Sequence, residues 1–470
     1  MRSCWLSAAA IVASSGCAVG PNYHRPETPV DSHFANAAQP GFAESAAIEQ
    51  YWTRFADPAL SGLIEDALAH NKNLGVAEAN LRAARAERRL VGFDLYPTVT
   101  ARGGYSRILD AQEQLPGVSR RNREFNVAQA GFDGLWELDL FGRVRRNVEA
   151  ARADVGASAA TLQDARVSVI AETARDYFIL RGLQDQLSLT MRNADNQFNT
   201  LKLTRNRLEA GRGNQLDTAR AEAQWQTTLA SIPSLQTSIA TTGYRLSVLT
   251  GRQPTALAPT LSAQAPAPAL PDLNDIGTPE QLLRRRPDVR VAERRLAGAT
   301  ARVGVAVGDL FPKVTLTGQA GYFGPTLGQL GTAEASFYSV GPSITWAAFD
   351  LGRVRARIST ARAQTDAALL AYEGAVLGAL GDTEGALISY GRSQSRRDAL
   401  QIAAAASDKA AELAQKRFEG GLIDFLEVLD AERTALSAEL LLSQSRTDAA
   451  TSLIAVYKAL GAGWGAPLPK

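Results

Sequence analysis

The sequence predicts a mainly α chain with a small amount of membrane-type β: a long helical hairpin present twice, each copy led by a β-hairpin. Three observations carry this. The segment from Phe141 to Gly251 returns from Leu351 to Gly461 at one constant offset, so that Trp136 falls on Trp346, Gly142-Arg143-Val144-Arg145 on Gly352-Arg353-Val354-Arg355, Leu216 on Leu426 and Gly251 on Gly461, which marks an internal duplication. Each copy reads as a long helix, a tight turn and a second long helix, and in the first copy Val144, Val148, Ala151, Val155, Ser158, Leu162, Ala165 and Val169 step by fours and threes. Ahead of each copy, just after Pro97 and Pro312, the pattern changes to period two.

The 470 residues include 50 basic and 48 acidic side chains and are 45% hydrophobic, a balance that excludes a disordered chain and offers no bulk charge for nucleic acid. No apolar run reaches the ~18 residues of a membrane helix.

The first element, residues 1–16, reads as an export signal: Arg2, then an apolar core from Trp5 to Ala13, then Ser14-Ser15-Gly16-Cys17. Cys17 sits where a lipoprotein is processed and acylated; ordinary cleavage nearby, leaving a free thiol, is the alternative. With Cys4 lost in the signal and Cys17 lipidated, the mature chain has no disulfide. Residues 17–58 form an N-terminal tether and a following segment, the proline-rich start from Gly20 to Pro29 being extended. Asp57-Pro58 starts a helix over 59–92, with Asp57 as N-cap and Pro58 at the first helical position.

Strands follow at 98–138. Val99, Ala101, Gly103 and Tyr105 share one face, with Thr98, Thr100 and Arg102 on the other. On the return, Ala128, Ala130, Phe132, Trp136 and Leu138 oppose Gln129, Asp133 and Glu137. The helical hairpin of 141–250 comes next. Its first helix runs uninterrupted over Arg143 to Glu209, about 100 Å at 1.5 Å per residue, with faces that belong in water. A Pro/Ala-rich linker spans 252–277. The second repeat, 278–461, opens on a capping box at Thr278-Pro279-Glu280-Gln281. It continues through strands at 313–348, with Val314, Leu316, Gly318, Ala320 and Tyr322 opposing Lys313, Thr315, Thr317 and Gln319. Its return strand contains Pro342, which restricts it to an edge or bulge. The helical hairpin of 351–460 and a tail at 462–470 complete the chain.

One apolar and one polar face over about ten residues is the pattern of outer-membrane strands; soluble hairpins packed on the helices are the other reading. Four strands cannot close a barrel, the smallest having about eight, and open edges in lipid cost several kcal/mol per unpaired group. The membrane reading therefore requires a homotrimer: a 12-stranded β-barrel, four strands from each chain, continuous with a trimeric periplasmic α-barrel.

The chain resembles the TolC/OprM-type outer-membrane efflux factors, in their lipoprotein branch. The resemblance rests on Gly16-Cys17 with Gly20-Pro21-Asn22-Tyr23-His24-Arg25-Pro26, on Trp52 to Pro58, on Leu282-Leu283-Arg284-Arg285-Arg286-Pro287-Asp288-Val289-Arg290, on Phe349-Asp350-Leu351-Gly352-Arg353 and on Phe425 to Ala431. It implies the outer-membrane duct of a tripartite efflux pump in a Gram-negative cell, embedded in outer-membrane lipid and extending into the periplasm. Its implied partners are a periplasmic adaptor and an inner-membrane transporter. The outlet of a protein-secretion machine is the alternative within the class, and a non-conducting coiled-coil lipoprotein the alternative outside it.

The helix–helix turns, 209–214 and 419–424, fall far along the chain from the strands. In the family this end closes the channel and meets the adaptor, which makes Arg207, Glu209, Gly211, Arg417, Glu419, Gly421 and Leu422 docking candidates. Asp424 is the candidate for a carboxylate ring at the gate. Yet it is the repeat-equivalent of Asn214, with Glu427 three residues on, which is also an N-cap pattern. The family's gate carboxylate aligns one place earlier, with Ile423. His24, His33 and His70 have no metal-ligand spacing, Arg284-Arg285-Arg286 reads as a solvated or interhelix face, and no nucleophile or phosphate-loop motif occurs. No catalytic residue, cofactor or metal is expected.

Overall fold

The computed structural model describes residues 18–36, 50–263, 265–273 and 276–463. The predicted signal, Cys17 and most of the C-terminal tail lie outside the described residues.

The elements run α1 (Pro58–His70), α2 (Lys72–Phe93), β1 (Thr98–Leu109), β2 (Glu124–Leu138), α3 (Arg143–Glu209), α4 (Gln215–Leu249), α5 (Pro279–Arg285), α6 (Pro287–Gly308), β3 (Lys313–Gly324), β4 (Ser336–Thr345), α7 (Leu351–Glu419) and α8 (Phe425–Ala459). Two compact units emerge. One gathers described residues up to Glu27 with Asn80–Ser158 and Val291–Glu373; the other gathers Thr28–Ala79, Ala159–Arg290 and the chain from Gly374.

The first unit holds the four strands as one antiparallel sheet in the order β1-β2-β3-β4. The sequence read the segment after Cys17 as a tether. Its described part, from Ala18 on, forms neither helix nor strand, but it is pinned to the body. The Val19 amide donates to the Phe141 carbonyl at 3.0 Å. Arg146 donates to the Val19 carbonyl at 3.1 Å and to Asn22 Oδ1 at 2.7 Å. The Tyr23 hydroxyl donates to Glu293 at 3.0 Å, and burial, then the Glu293 charge, push that phenol above its ordinary pKa. Phe141 and Phe311, from the two repeats, stack at 4.6 Å.

The second unit packs around aromatic anchors from the Trp52 motif. Tyr51, Trp52 and Phe55 are buried with Leu60, Ile64, Phe178 and Leu453, and Tyr51 stacks on Tyr457 at 4.4 Å. Each such side chain contributes about 1.5–3 kcal/mol by leaving water. The predicted linker belongs to this core as well: Leu257, Leu261, Leu273 and Ile276 are all buried in it. Its Pro/Ala composition signals irregular backbone and says nothing about whether intervening leucines face inward.

The predicted helix over 59–92 is broken at Asn71. Asn71 Oδ1 accepts from the amides of Asn73 and Leu74 at 2.9 and 3.2 Å, capping α2, while its Nδ2 donates to the Leu249 carbonyl at 2.8 Å. The second repeat does the same with different chemistry. Arg286, displaced from Asn71 by the offset that relates the two leading helices, sits at the break between α5 and α6 and donates to the carbonyls of Ala459 and Ala379 at 3.2 and 3.3 Å. Both caps expected upstream are formed. Asp57 accepts from Ala59 and Leu60, and Thr278 with Gln281 makes a full capping box.

Candidate functional site

The register of the sheet decides what each face is. Ala101 lies opposite Phe132, Phe132 opposite Ala320, and Ala320 opposite Tyr338. Cross-strand partners share a face, so Val99, Ala101, Gly103 and Tyr105 join Phe132, Trp136, Leu316, Ala320, Tyr322, Tyr338, Val340 and Ile344 on one apolar surface. Much of it is exposed: Phe132 is 61%, Val340 68% and Tyr338 83% accessible. Tyr105, Tyr322 and Tyr338 lie toward the loop ends of the strands. Toward the helical ends, Trp136 Nε1 donates to the Leu95 carbonyl at 3.1 Å and Trp346, just past β4, to the Leu310 carbonyl at 3.0 Å, the same bond made once in each repeat. Along β3 the apolar row from Val314 to Tyr322 covers about 27 Å at 3.4 Å per residue, which at the ~40° tilt of barrel strands rises about 21 Å, close to the height of a membrane band with aromatic girdles.

The opposite face is mostly polar and its charges are paired, although Leu135 lies between Thr98 and Thr317 and Phe323 opposite Gln129 on it. Arg102 Nε pairs with Asp133 at 3.2 Å and its Nη2 donates to Gln319 at 2.7 Å. Glu137 pairs with Arg143 and Lys313 with Asp309, the latter at 2.9 Å. Threonines complete it, with Thr317 Oγ1 donating to the Gly341 carbonyl at 3.2 Å. Sequence reading placed Arg102 and Asp133 on this face without pairing them, because the pair depends on register. Pro342 lies opposite Leu316 on β4, the last strand of this four-stranded sheet, where a residue without an N–H is tolerated.

The second unit contains the hairpin turns. Both are the same C-cap: Gly211 and Gly421 take φ of +70° and +73°. The amides of Arg212 and Leu422 return to the carbonyls of Arg207 and Arg417 at 2.8 and 2.9 Å. This left-handed turn closes a helix end at little cost only with glycine. The repeats differ in the next step. Asn214 Oδ1 accepts from the Asp217 amide at 2.8 Å, whereas Asp424, at the equivalent position, makes no side-chain cap bond and is exposed. Ile423 packs partly against a buried cluster of Leu201, Ala221, Phe418, Phe425, Val428 and Leu429. Arg207 is engaged: its Nη1 donates to the Phe418 carbonyl at 3.0 Å and its guanidinium lies 4.3 Å from the Phe418 ring centroid. Glu209, Arg417, Glu419 and Leu422 are exposed. Sequence reasoning missed Glu432, which accepts from Thr200 Oγ1 at 2.9 Å and whose burial raises its pKa against that hydrogen bond.

Of the three consecutive arginines, Arg286 is buried and pairs with Asp288 at 2.7 Å and Asp382 at 3.1 Å, while Arg284 pairs in the open with Glu280. Among the described residues no helix is long and apolar enough to cross a membrane, and no His, Cys, Asp or Glu cluster could hold a metal.

Residues 63–252 and 278–462 match the family model described as outer membrane efflux protein, one match for each repeat. The outer membrane protein OprJ of Pseudomonas aeruginosa is 32% identical over 455 residues, covering 95% of this chain and 93% of that protein. The toluene efflux pump outer membrane protein TtgC of Pseudomonas putida is 30% identical over 474 residues, covering 96% and 93%. Among solved structures, the outer-membrane channel OprN aligns with a TM-score of 0.90 at 42% identity over 95% of this chain and 100% of that one. The open state of the Neisseria gonorrhoeae MtrE channel aligns with a TM-score of 0.86 at 31% identity over 95% and 99%. With two helical hairpins, two membrane β-hairpins and matches across both repeats, the chain belongs to the outer membrane efflux protein family, whose place is the Gram-negative outer membrane.

Proposed function

We propose that three copies of this chain close one duct, an efflux outlet through which small organic compounds pass passively after an inner-membrane transporter and a periplasmic adaptor deliver them. One observation carries this reading. The register gathers one continuous apolar face across all four strands and puts the charged and threonine side chains mostly on the other, yet among the described residues β1 and β4 each leave an edge without a partner. In lipid every unpaired backbone group costs several kcal/mol. Pairing β4 of one copy with β1 of the next removes that cost only when the ring closes. The apolar face then meets lipid and the balanced polar face lines the lumen. Toluene and antibiotics, which appear in the names of relatives, suggest the cargo class, and a neutral threonine-rich wall suits many such solutes.

The helical hairpins extend into the periplasm, where their turns face the adaptor. The uncapped, exposed Asp424 carboxylate supports a ring of three at the closed end. Ile423, partly packed into its own hairpin cluster, supports that ring from behind. Glu209, Gly211, Arg417, Glu419, Gly421 and Leu422 form the docking surface, and Arg207 holds the two turns together beneath it.

Conductance of the purified protein in planar bilayers tests the duct. Discrete channels are expected; a protein that inserts but passes no ions contradicts it. Deletion of the gene should sensitise cells to small toxic compounds, whereas loss of a secreted protein alone would support the secretion alternative.

A further inference from the structure

The hairpin loop between β1 and β2 holds charges that the fold itself does not use. From Arg107 to Glu124 there are four arginines and three acids. Arg107 pairs with Glu124 at 2.7 Å. Arg123 is buried and donates to the carbonyls of Asp110 and Val118, which fixes the loop from inside. Arg120 and Arg121 remain, adjacent, exposed and without an ion-pair partner among the described residues. The loop's other acids, Asp110 and Glu113, make no ion pair there either. The corresponding loop of the second hairpin, 325–335, has Glu334 and no basic residue.

Their height is set by the strand. On the apolar face of β1 the row runs Val99, Ala101, Gly103, Tyr105 and then Arg107, so the first charge comes about 7 Å further along the strand than the tyrosine girdle, or about 5 Å higher at a ~40° tilt. Arg120 and Arg121 belong to the turn that enters β2 at Glu124, the partner of Arg107. Guanidinium groups just beyond an aromatic girdle stand level with lipid headgroups, and their planar donor fork fits phosphate oxygens.

We propose that Arg120 and Arg121, with Arg107 beside them, form a binding surface for the phosphate groups of outer-leaflet lipid. This rests on the reading that the apolar face meets the membrane.

The test uses the full-length protein in neutral detergent, with thermal unfolding followed during titration by a bisphosphorylated diglucosamine lipid. The lipid should stabilise the wild type, and Arg120→Ser/Arg121→Ser should bind it about 25-fold more weakly, taking roughly fivefold for each arginine near an anionic surface. The dephosphorylated lipid and inorganic polyphosphate should each give a far smaller shift. Equal affinity in the double variant, or an equal response to either control, overturns the proposal. Single-channel conductance in a neutral bilayer should be the same for both proteins. Lipid binding without conductance would overturn the duct and leave the lipid surface standing.

Discussion

Replacing Arg102 with Ser tests the assignment of the polar face to the lumen. The substitution leaves Asp133 without its 3.2 Å partner and adds one uncompensated negative charge per chain. Strands about 4.8 Å apart and tilted by ~40° close a ring of twelve with a radius of about 12 Å, which puts an inward carboxylate about 9 Å from the axis. At ε ≈ 80 one charge acts on a monovalent ion there with about 0.5 kcal/mol before screening. With a Debye length of about 30 Å at 10 mM salt, three such charges sum to about 1 kcal/mol; at 0.1 M, where the length is about 10 Å, they sum to about 0.6 kcal/mol. Cations should therefore be enriched about fivefold at low salt and two- to threefold at 0.1 M. Reversal potentials across a salt gradient measure this. The wild type should discriminate weakly, and the variant should become cation-selective, more so at low salt. A variant with normal conductance and unchanged selectivity at 10 mM would place Arg102 and Asp133 outside the conducting path and refute the assignment.

Asp424→Ala should raise leak conductance and sensitivity to large antibiotics while leaving the unfolding midpoint unchanged, because no cap bond is lost. A loss of about 1 kcal/mol with unchanged leak would instead restore the cap role. Arg286→Met should cost about 2–3 kcal/mol in denaturant unfolding, since it removes one donor from each of the Ala379 and Ala459 carbonyls, which keep the Thr383 hydroxyl, and leaves the half-buried Asp288 carboxylate without its 2.7 Å partner, whereas Asn71→Ala should cost about 1–2 kcal/mol. Burial raises the pKa of Glu432 in the folded state, so the folded protein holds the proton more tightly. Stability should then fall as pH rises from the ordinary carboxylate range through that raised value, and recover on acidification. Glu432→Gln should flatten this part of the midpoint–pH profile, and an unchanged slope would assign it to other groups.

The parts of the fold legible in the sequence were those with long periodic signals. Arg143 to Glu209 contains neither proline nor a turn cluster, and the helix has those bounds. The two strand faces were visible because alternation survives over ten residues, and the register then aligned them. Single side chains acting at a distance were not visible. Asn71 reads as an ordinary polar helix residue until Leu249, 178 residues later, arrives beside it. Arg207 looks like a free surface charge until the Phe418 ring lies under it. Asp424 and Asn214 share a repeat position, but only the amide side chain makes the cap, so equivalence in sequence did not carry equivalence in contact. The linker misled in the same way, since its prolines hid four leucine and isoleucine side chains that face the core.

The number of chains in one conducting particle tests the central claim most directly. Native mass spectrometry of the detergent-solubilised protein, taken from the preparation that forms channels, should find three polypeptides per particle. A particle with a single chain would leave the β1 and β4 edges bare in lipid and contradict the account.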